Sequence, residues 1–137
     1  MTASQIDEQL LRLPSHYLVA RRDDARLVVG PAGVFVVCGD FGGLEEASEG
    51  AFELARVTRV SLADTVLPTP VVESVVVSRA RQSTPGESLV VFLYLLIDLV
   101  STGSQIDPRT VCEVRTLLLE GSLVPGWELQ QPLVQAA

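Results

Sequence analysis

A single compact α/β domain, built on a mixed β-sheet flanked by helices, is the fold class this sequence predicts, and three observations predict it. Two β-branched runs, Arg26-Leu27-Val28-Val29 and Val34-Phe35-Val36-Val37, are joined by Gly30-Pro31-Ala32-Gly33, the pattern of a hairpin. From Leu44 the apolar residues recur with a period near 3.6, that of an amphipathic helix. Val71 to Val77 is then a near-continuous apolar run, as expected of a strand covered on both faces in the sheet's interior.

The remaining elements follow from local signals. Ser4 to Leu13 begins as a short helix, with Ile6, Leu10 and Leu13 on one stripe and Pro14 as its stop. His16 to Ala20 is extended and enters the hairpin through the charged turn Arg21-Arg22-Asp23-Asp24. After Gly39 and Gly42-Gly43, a helical stripe of Leu44, Ala47, Ala51, Leu54 or Ala55, Thr58 and Leu62 ends near Val66, before Pro68. Glu45, Glu46, Glu49 and Glu53 lie off that stripe as a solvated face, and the earliest of them sit where the helix dipole favours negative charge. The loop Arg79 to Glu87 turns the chain toward a strand at Ser88 to Phe92. Leu89 to Val100 is a strand running into a helix, with a boundary that composition does not set.

Asp107-Pro108 marks a helix start, an N-cap carboxylate followed by proline at the first helical position. Val111, Val114, Leu117 and Leu118 supply its apolar stripe, and Gly121 ends it. The domain is therefore expected to span residues 1–121. Residues 122–137 form a tail that holds Trp127, the single tryptophan, beside Leu123, Val124, Leu129 and Leu133. Such a tail either packs back on its own domain or docks across a dimer or into a partner's groove.

Composition excludes more functions than it suggests. The 137 residues are 47% hydrophobic and 20% charged, the balance of a folded domain. All 10 basic residues are arginine, there is no lysine or asparagine, and His16 is the one histidine. Without lysine there is no phosphate-loop lysine, Schiff base or Ser-Lys dyad, and a site with two histidine ligands from one chain is excluded. A net charge of −7 repels phosphate backbones and anionic lipid heads, so nucleic acid is an unlikely partner. Cys38 and Cys112 lie in apolar contexts without a metal-ligand or redox spacing and are expected to be thiols in a reducing compartment. With neither a signal peptide nor a run approaching the ~20 apolar residues of a membrane span, the expected location is cytoplasmic.

At the hairpin the residues become specific. Leu13-Pro14, an extended segment, and then Leu27-Val28-Val29-Gly30-Pro31-Ala32-Gly33-Val34-Phe35-Val36-Val37 resemble the nuclease-related domain family, a bacterial branch of the restriction-endonuclease-like fold. The order of the later elements is similar over residues 2–120, and Asp107-Pro108 stands where that family commonly opens its last helix. The resemblance implies a restriction-endonuclease-like mixed sheet. For members that cut nucleic acid it also implies a divalent metal held by an acid opening the first hairpin strand and by the acid of an Asp/Glu-x-Lys triplet after the second. Carried across, the first acid falls on Ala25, the second on Cys38 and the lysine on Asp40. All three catalytic types are missing. All-arginine basicity also fits the codon usage of a GC-rich genome, but the coincidence of the three losses points to abandoned catalysis.

The expectation is therefore a catalytically inactive nuclease-like domain, without cofactor or metal, that serves as a protein-binding or regulatory adaptor, alone or as a homodimer. The alternative is a divergent metal-dependent nuclease with ligands from Asp23, Asp24 or Asp40. A small-molecule sensor with an apolar pocket beside Leu89 to Val100 lacks convergent polar groups. Ser15-His16 is not a nucleophile and base, because adjacent residues in an extended segment point apart. The candidate partner-binding residues are an arginine-rich patch of Arg21, Arg22, Arg26, Arg79 and Arg81, suited to carboxylates on a protein, and Trp127 with Leu129 on the tail.

Overall fold

The computed structural model describes residues 2–14, 16–78, 88–103 and 106–130. Helix α1 (Ala3–Leu10) precedes a meander of β1 (Leu18–Arg22), β2 (Ala25–Gly30) and β3 (Gly33–Gly39). Helix α2 (Leu44–Ala63) crosses to β4 (Val72–Val77), and β5 (Leu89–Val91), a 3-10 turn at Leu93–Leu95 and α3 (Leu96–Ser101) follow. Helix α4 (Pro108–Glu120) and β6 (Glu128–Gln130) complete the described chain. The strands form one mixed sheet in the order β5-β4-β3-β2-β1-β6. The pairs β6–β1, β1–β2 and β2–β3 are antiparallel, and β3–β4 and β4–β5 are parallel.

The helix ends have visible chemical causes. Thr2 and Gln5 form a capping box at α1, each side chain accepting from the other's backbone N–H. Asp107 accepts from the Thr110 N–H ahead of Pro108, and Gly121 closes α4 in the left-handed region at φ 69°. The predicted first helix is shorter than expected: α1 ends at Leu10, and the N–H groups of Arg12 and Leu13 bond to the carbonyls three residues back.

The hairpin motif has a geometric basis too. Gly30 and Gly33 pair across the β2–β3 turn, and Gly33 has φ 146°, a conformation that side chains resist. At Gly30 an added Cβ would stand 2.1 Å from the Tyr17 ring, so the glycine lets that ring lie against the strand.

Two cores sandwich the sheet. On one face Leu27, Val29, Val34 and Val36 pack with Ala55 and Leu62 of α2, and with Val114 and Leu118 of α4. On the other Val28, Phe35, Val37, Val75 and Val77 pack with Ile6 and Leu10 of α1, and with Leu96 and Val100 of α3. The α2 stripe holds as expected at Ala51, Ala55, Thr58 and Leu62 and differs in its first turn. There Ser48 is buried while Leu44 and Ala47 are half-buried, and the Ser48 carbonyl accepts from Ser88 Oγ at 3.1 Å, a hydroxyl that also bonds Ser74 Oγ at 2.9 Å.

The described part of the tail, residues 122–130, packs back on the domain, one of the two placements expected for it. Leu123 and Trp127 belong to the α2/α4 core at 2% and 4% exposure, and β6 pairs with β1 from Val19↔Gln130 to Arg21↔Glu128. The described part of the tail is an integral layer of the domain because its indole fills the space between α2 and the sheet. Among the described residues no helix is long and apolar enough to cross a membrane.

Candidate functional site

The register Arg26↔Val37 places Ala25 directly across from Cys38, at one end of the β2–β3 pair. Both face the α2/α4 core: Ala25 is buried and Cys38 packs against that cluster. Burial pushes the Cys38 thiol from its ordinary value of 9.0 up to about 11, the Asp24 carboxylate adds to the rise, and Arg26 opposes it. A neutral thiol facing a methyl group is a poor pair of donors for a hard divalent cation, which prefers oxygen.

Asp40, one residue past β3, has a structural task. Its carboxylate accepts from the Gly43 N–H at 3.2 Å and from Ser78 Oγ at 3.0 Å, while its own N–H donates to the Val77 carbonyl at 2.9 Å. The Gly43 contact ties down the start of α2, whose N-cap is that glycine and has no side-chain cap of its own. Asp40 thus fastens the α2 entrance to the end of β4. Asp23 and Asp24 sit exposed in the two-residue β1–β2 turn, Asp23 at φ 51°. The residues at the metal position that the resemblance implies therefore do not fit a metal. Among the described residues no three His, Cys, Asp or Glu side chains converge as a ligand set.

Two residues of the arginine-rich patch, Arg21 and Arg26, stand opposite each other on β1 and β2. Arg26 is 5% exposed on the α1 side of the sheet, where Nε and an NH2 group donate to Asp7 at 2.6 and 3.0 Å and the other NH2 group donates to the Asp23 and Ala25 carbonyls. Arg21 and Arg22, neighbours in a strand, point to opposite faces. Arg21 lies 3.9 Å from Glu128, and Arg22 donates to the Pro125 carbonyl at 2.9 Å. Arg79, Arg81 and Ser15 lie outside the described residues; His16 is exposed with its ring tilted on Tyr17 at 5.0 Å.

Trp127 is likewise committed to the fold and does not form a surface anchor. Its Nε1–H donates to Thr58 Oγ1 at 3.0 Å, and that hydroxyl donates to the Leu54 carbonyl at 2.7 Å. Leu129, half-buried, packs on the same core. The acidic residues of α2 are exposed as expected, with Glu53 paired to Arg56 at 2.6 Å.

A cleft of about 600 Å3 opens at the opposite end of the hairpin, where the β2–β3 turn, the start of β4, the end of α3 and the start of α4 meet. The segment from Leu89 to Val100 contributes Leu99 to it. Its polar lining includes Glu73, Thr102 and Asp107, gathered from three separate segments, and Glu73 drew no notice in the sequence because a lone strand glutamate carries no pattern. Compared with family models, with curated proteins and with solved structures, the chain gives no match.

Proposed function

We propose that this chain is a catalytically inert domain of the restriction-endonuclease-like build, related to the nuclease-related domain family, that works through contacts with a protein partner in a reducing cytoplasm. The observation that carries the reading is the triplet Ala25, Cys38 and Asp40. The first two face each other on the floor of the core, with the thiol held neutral, and the third is engaged at the entrance to α2. Metal-dependent phosphodiester cleavage requires carboxylates to hold the cation and a positive group at the developing charge. Here those positions hold a methyl, a thiol and a carboxylate.

The element order supports the same reading. A helix, a three-strand meander, a helix and a strand parallel to the third follow the order that the resemblance implies. The acidic balance of −7 supports a protein partner over a nucleic acid. The test combines calorimetry and digestion. The full chain is titrated with magnesium and manganese, then incubated with plasmid DNA, single-stranded DNA and RNA in each metal. The expected result is neither specific heat nor cleavage. Micromolar metal binding abolished by Asp24→Ala or Asp40→Ala, or metal-dependent cleavage lost in those variants, overturns the reading.

A further inference from the structure

The cleft at the far end of the hairpin has walls of one kind and charges of one sign. Phe35, Val71, Leu99 and Ile106 give it an apolar lining, and among the described residues the charged ones on it are Glu73 and Asp107, with no arginine. The two carboxylates are not equivalent. Asp107 accepts from the Thr110 N–H at 2.9 Å and is engaged as the cap of α4. Glu73 is exposed, and among the described residues no cation lies within ion-pair distance of it.

Its position in the sheet gives that carboxylate a defined neighbour. The parallel β3–β4 register pairs Glu73 with Phe35 on the α1/α3 face, so the acid and the aromatic ring stand side by side on strands about 4.8 Å apart. The other β3 and β4 side chains on that face, Val37, Val75 and Val77, are buried and apolar. Glu73 is thus a single charge at the rim of an apolar surface that leads into a cleft.

We infer that the cleft receives a basic side chain, arginine or lysine, from a segment of the partner protein, an assignment that rests on the protein-contact function proposed above. The methylene stem lies along Phe35 and Leu99, as long cationic side chains lie on apolar surface. The cationic head reaches Glu73, and the flanking residues of the segment meet Val71 and Ile106. Charge selects the occupant. A phosphate or carboxylate ligand would meet two like charges on a protein of net −7. A neutral one could hydrogen-bond to Glu73 but would leave its charge uncompensated.

The experiment is a titration of the uniformly 15N-labelled full chain, followed by amide shifts. Its probes are acetyl-Leu-Arg-Leu-amide, the same peptide with neutral citrulline for arginine, acetyl-Leu-Glu-Leu-amide, and argininamide alone. The arginine peptide is expected to move amides of Gly33 to Phe35, Val71 to Glu73 and Leu99 saturably, with the citrulline and glutamate peptides far weaker. Glu73→Gln, exposed and therefore able to fold, is expected to weaken the arginine peptide about tenfold, the loss of one charge-assisted contact. The assignment is overturned if the arginine peptide produces no saturable shift at millimolar concentration, if citrulline serves equally, if Glu73→Gln binds unchanged, or if argininamide binds as tightly as the peptide. None of these outcomes touches the inert-nuclease reading, which fails only on metal binding or cleavage.

Discussion

The Arg26 guanidinium clasps the Asp7 carboxylate through two hydrogen bonds, at 2.6 and 3.0 Å, across 19 residues of sequence. The pair joins α1 to β2 with Arg26 almost wholly removed from water. Removing one member leaves a buried cation with only backbone carbonyls for company. Asp7→Ala is expected to destabilise the domain by about 2 kcal/mol. Replacing the pair together, as Asp7→Leu with Arg26→Met, is expected to recover most of that loss, because apolar residues of similar size need no desolvation. Urea unfolding of the two variants and the parent chain measures the difference, and a double variant that loses as much as Asp7→Ala would show that the unpaired cation is not what the single change costs.

The indole of Trp127 and the hydroxyl of Thr58 make the second prediction. Trp127→Ala opens a cavity in the α2/α4 core and is expected to cost about 3–5 kcal/mol. Thr58→Val keeps the shape but leaves the indole N–H unpaired, with an expected cost of about 1–2 kcal/mol. Truncation after Gly121 removes Leu123, Trp127 and β6 together and is expected to give a chain without cooperative thermal unfolding by circular dichroism. A truncated chain that melts like the full one would mean that the tail packs only weakly.

Asp40 supplies the third. If its work is to hold Gly43 and Ser78, Asp40→Ala lowers stability by about 1 kcal/mol and frays the first turn of α2. Hydrogen exchange at Leu44 to Ser48 reads the local effect. An unchanged exchange pattern would remove Asp40's structural role.

Cys38 and Cys112 separate by reactivity. A thiol pushed from 9.0 to about 11 has about a hundredfold smaller thiolate fraction at any pH below 9.0. Iodoacetamide is therefore expected to modify exposed Cys112 first and Cys38 at about a hundredth of the rate of an ordinary thiol, as peptide mass spectrometry will count. Because the raised value favours the neutral thiol in the folded chain, Cys38's contribution to stability is complete below pH 9.0 and is lost as pH rises through about 11. Cys38→Ala is expected to flatten that alkaline decline.

Asp107 works in the opposite direction. Its hydrogen bond from the Thr110 backbone holds the carboxyl below its ordinary 3.8, so the cap stabilises α4 fully above that pH and weakens as pH falls below it. Asp107→Asn keeps a cap without a titrating charge. The difference in thermal midpoint between the two proteins is expected to shrink on acidification through 3.8, and a constant difference would mean that the charge contributes nothing to the cap.

Much of the fold was legible because its signals are local. The β-branched runs around Gly30-Pro31-Ala32-Gly33 and the Asp107-Pro108 to Gly121 helix needed nothing beyond neighbouring residues, and they stand where the sequence places them. Arg26 was misplaced on a surface patch because its partner lies on another element and no spacing announces it. β6 was missed for a related reason: Glu128-Leu129-Gln130 has no strand character of its own and is extended by pairing with β1. The cleft around Glu73 draws on four segments, and only the folded chain brings them together. The residue types at Ala25, Cys38 and Asp40 were legible; what the sequence did not disclose was that Asp40 has structural work.

The indole also sets an order of events in synthesis. A nascent chain that has emerged as far as Gly121 contains the meander, its crossover strand and α4, yet the gap that Trp127 fills beside Thr58 is still open and β1 still offers a bare edge. An unpaired edge is a template for any passing strand. Completion of this sheet therefore waits for the arrival of residues 123–130, which cover the five-residue edge of β1 and leave the three-residue β6 outermost in its place.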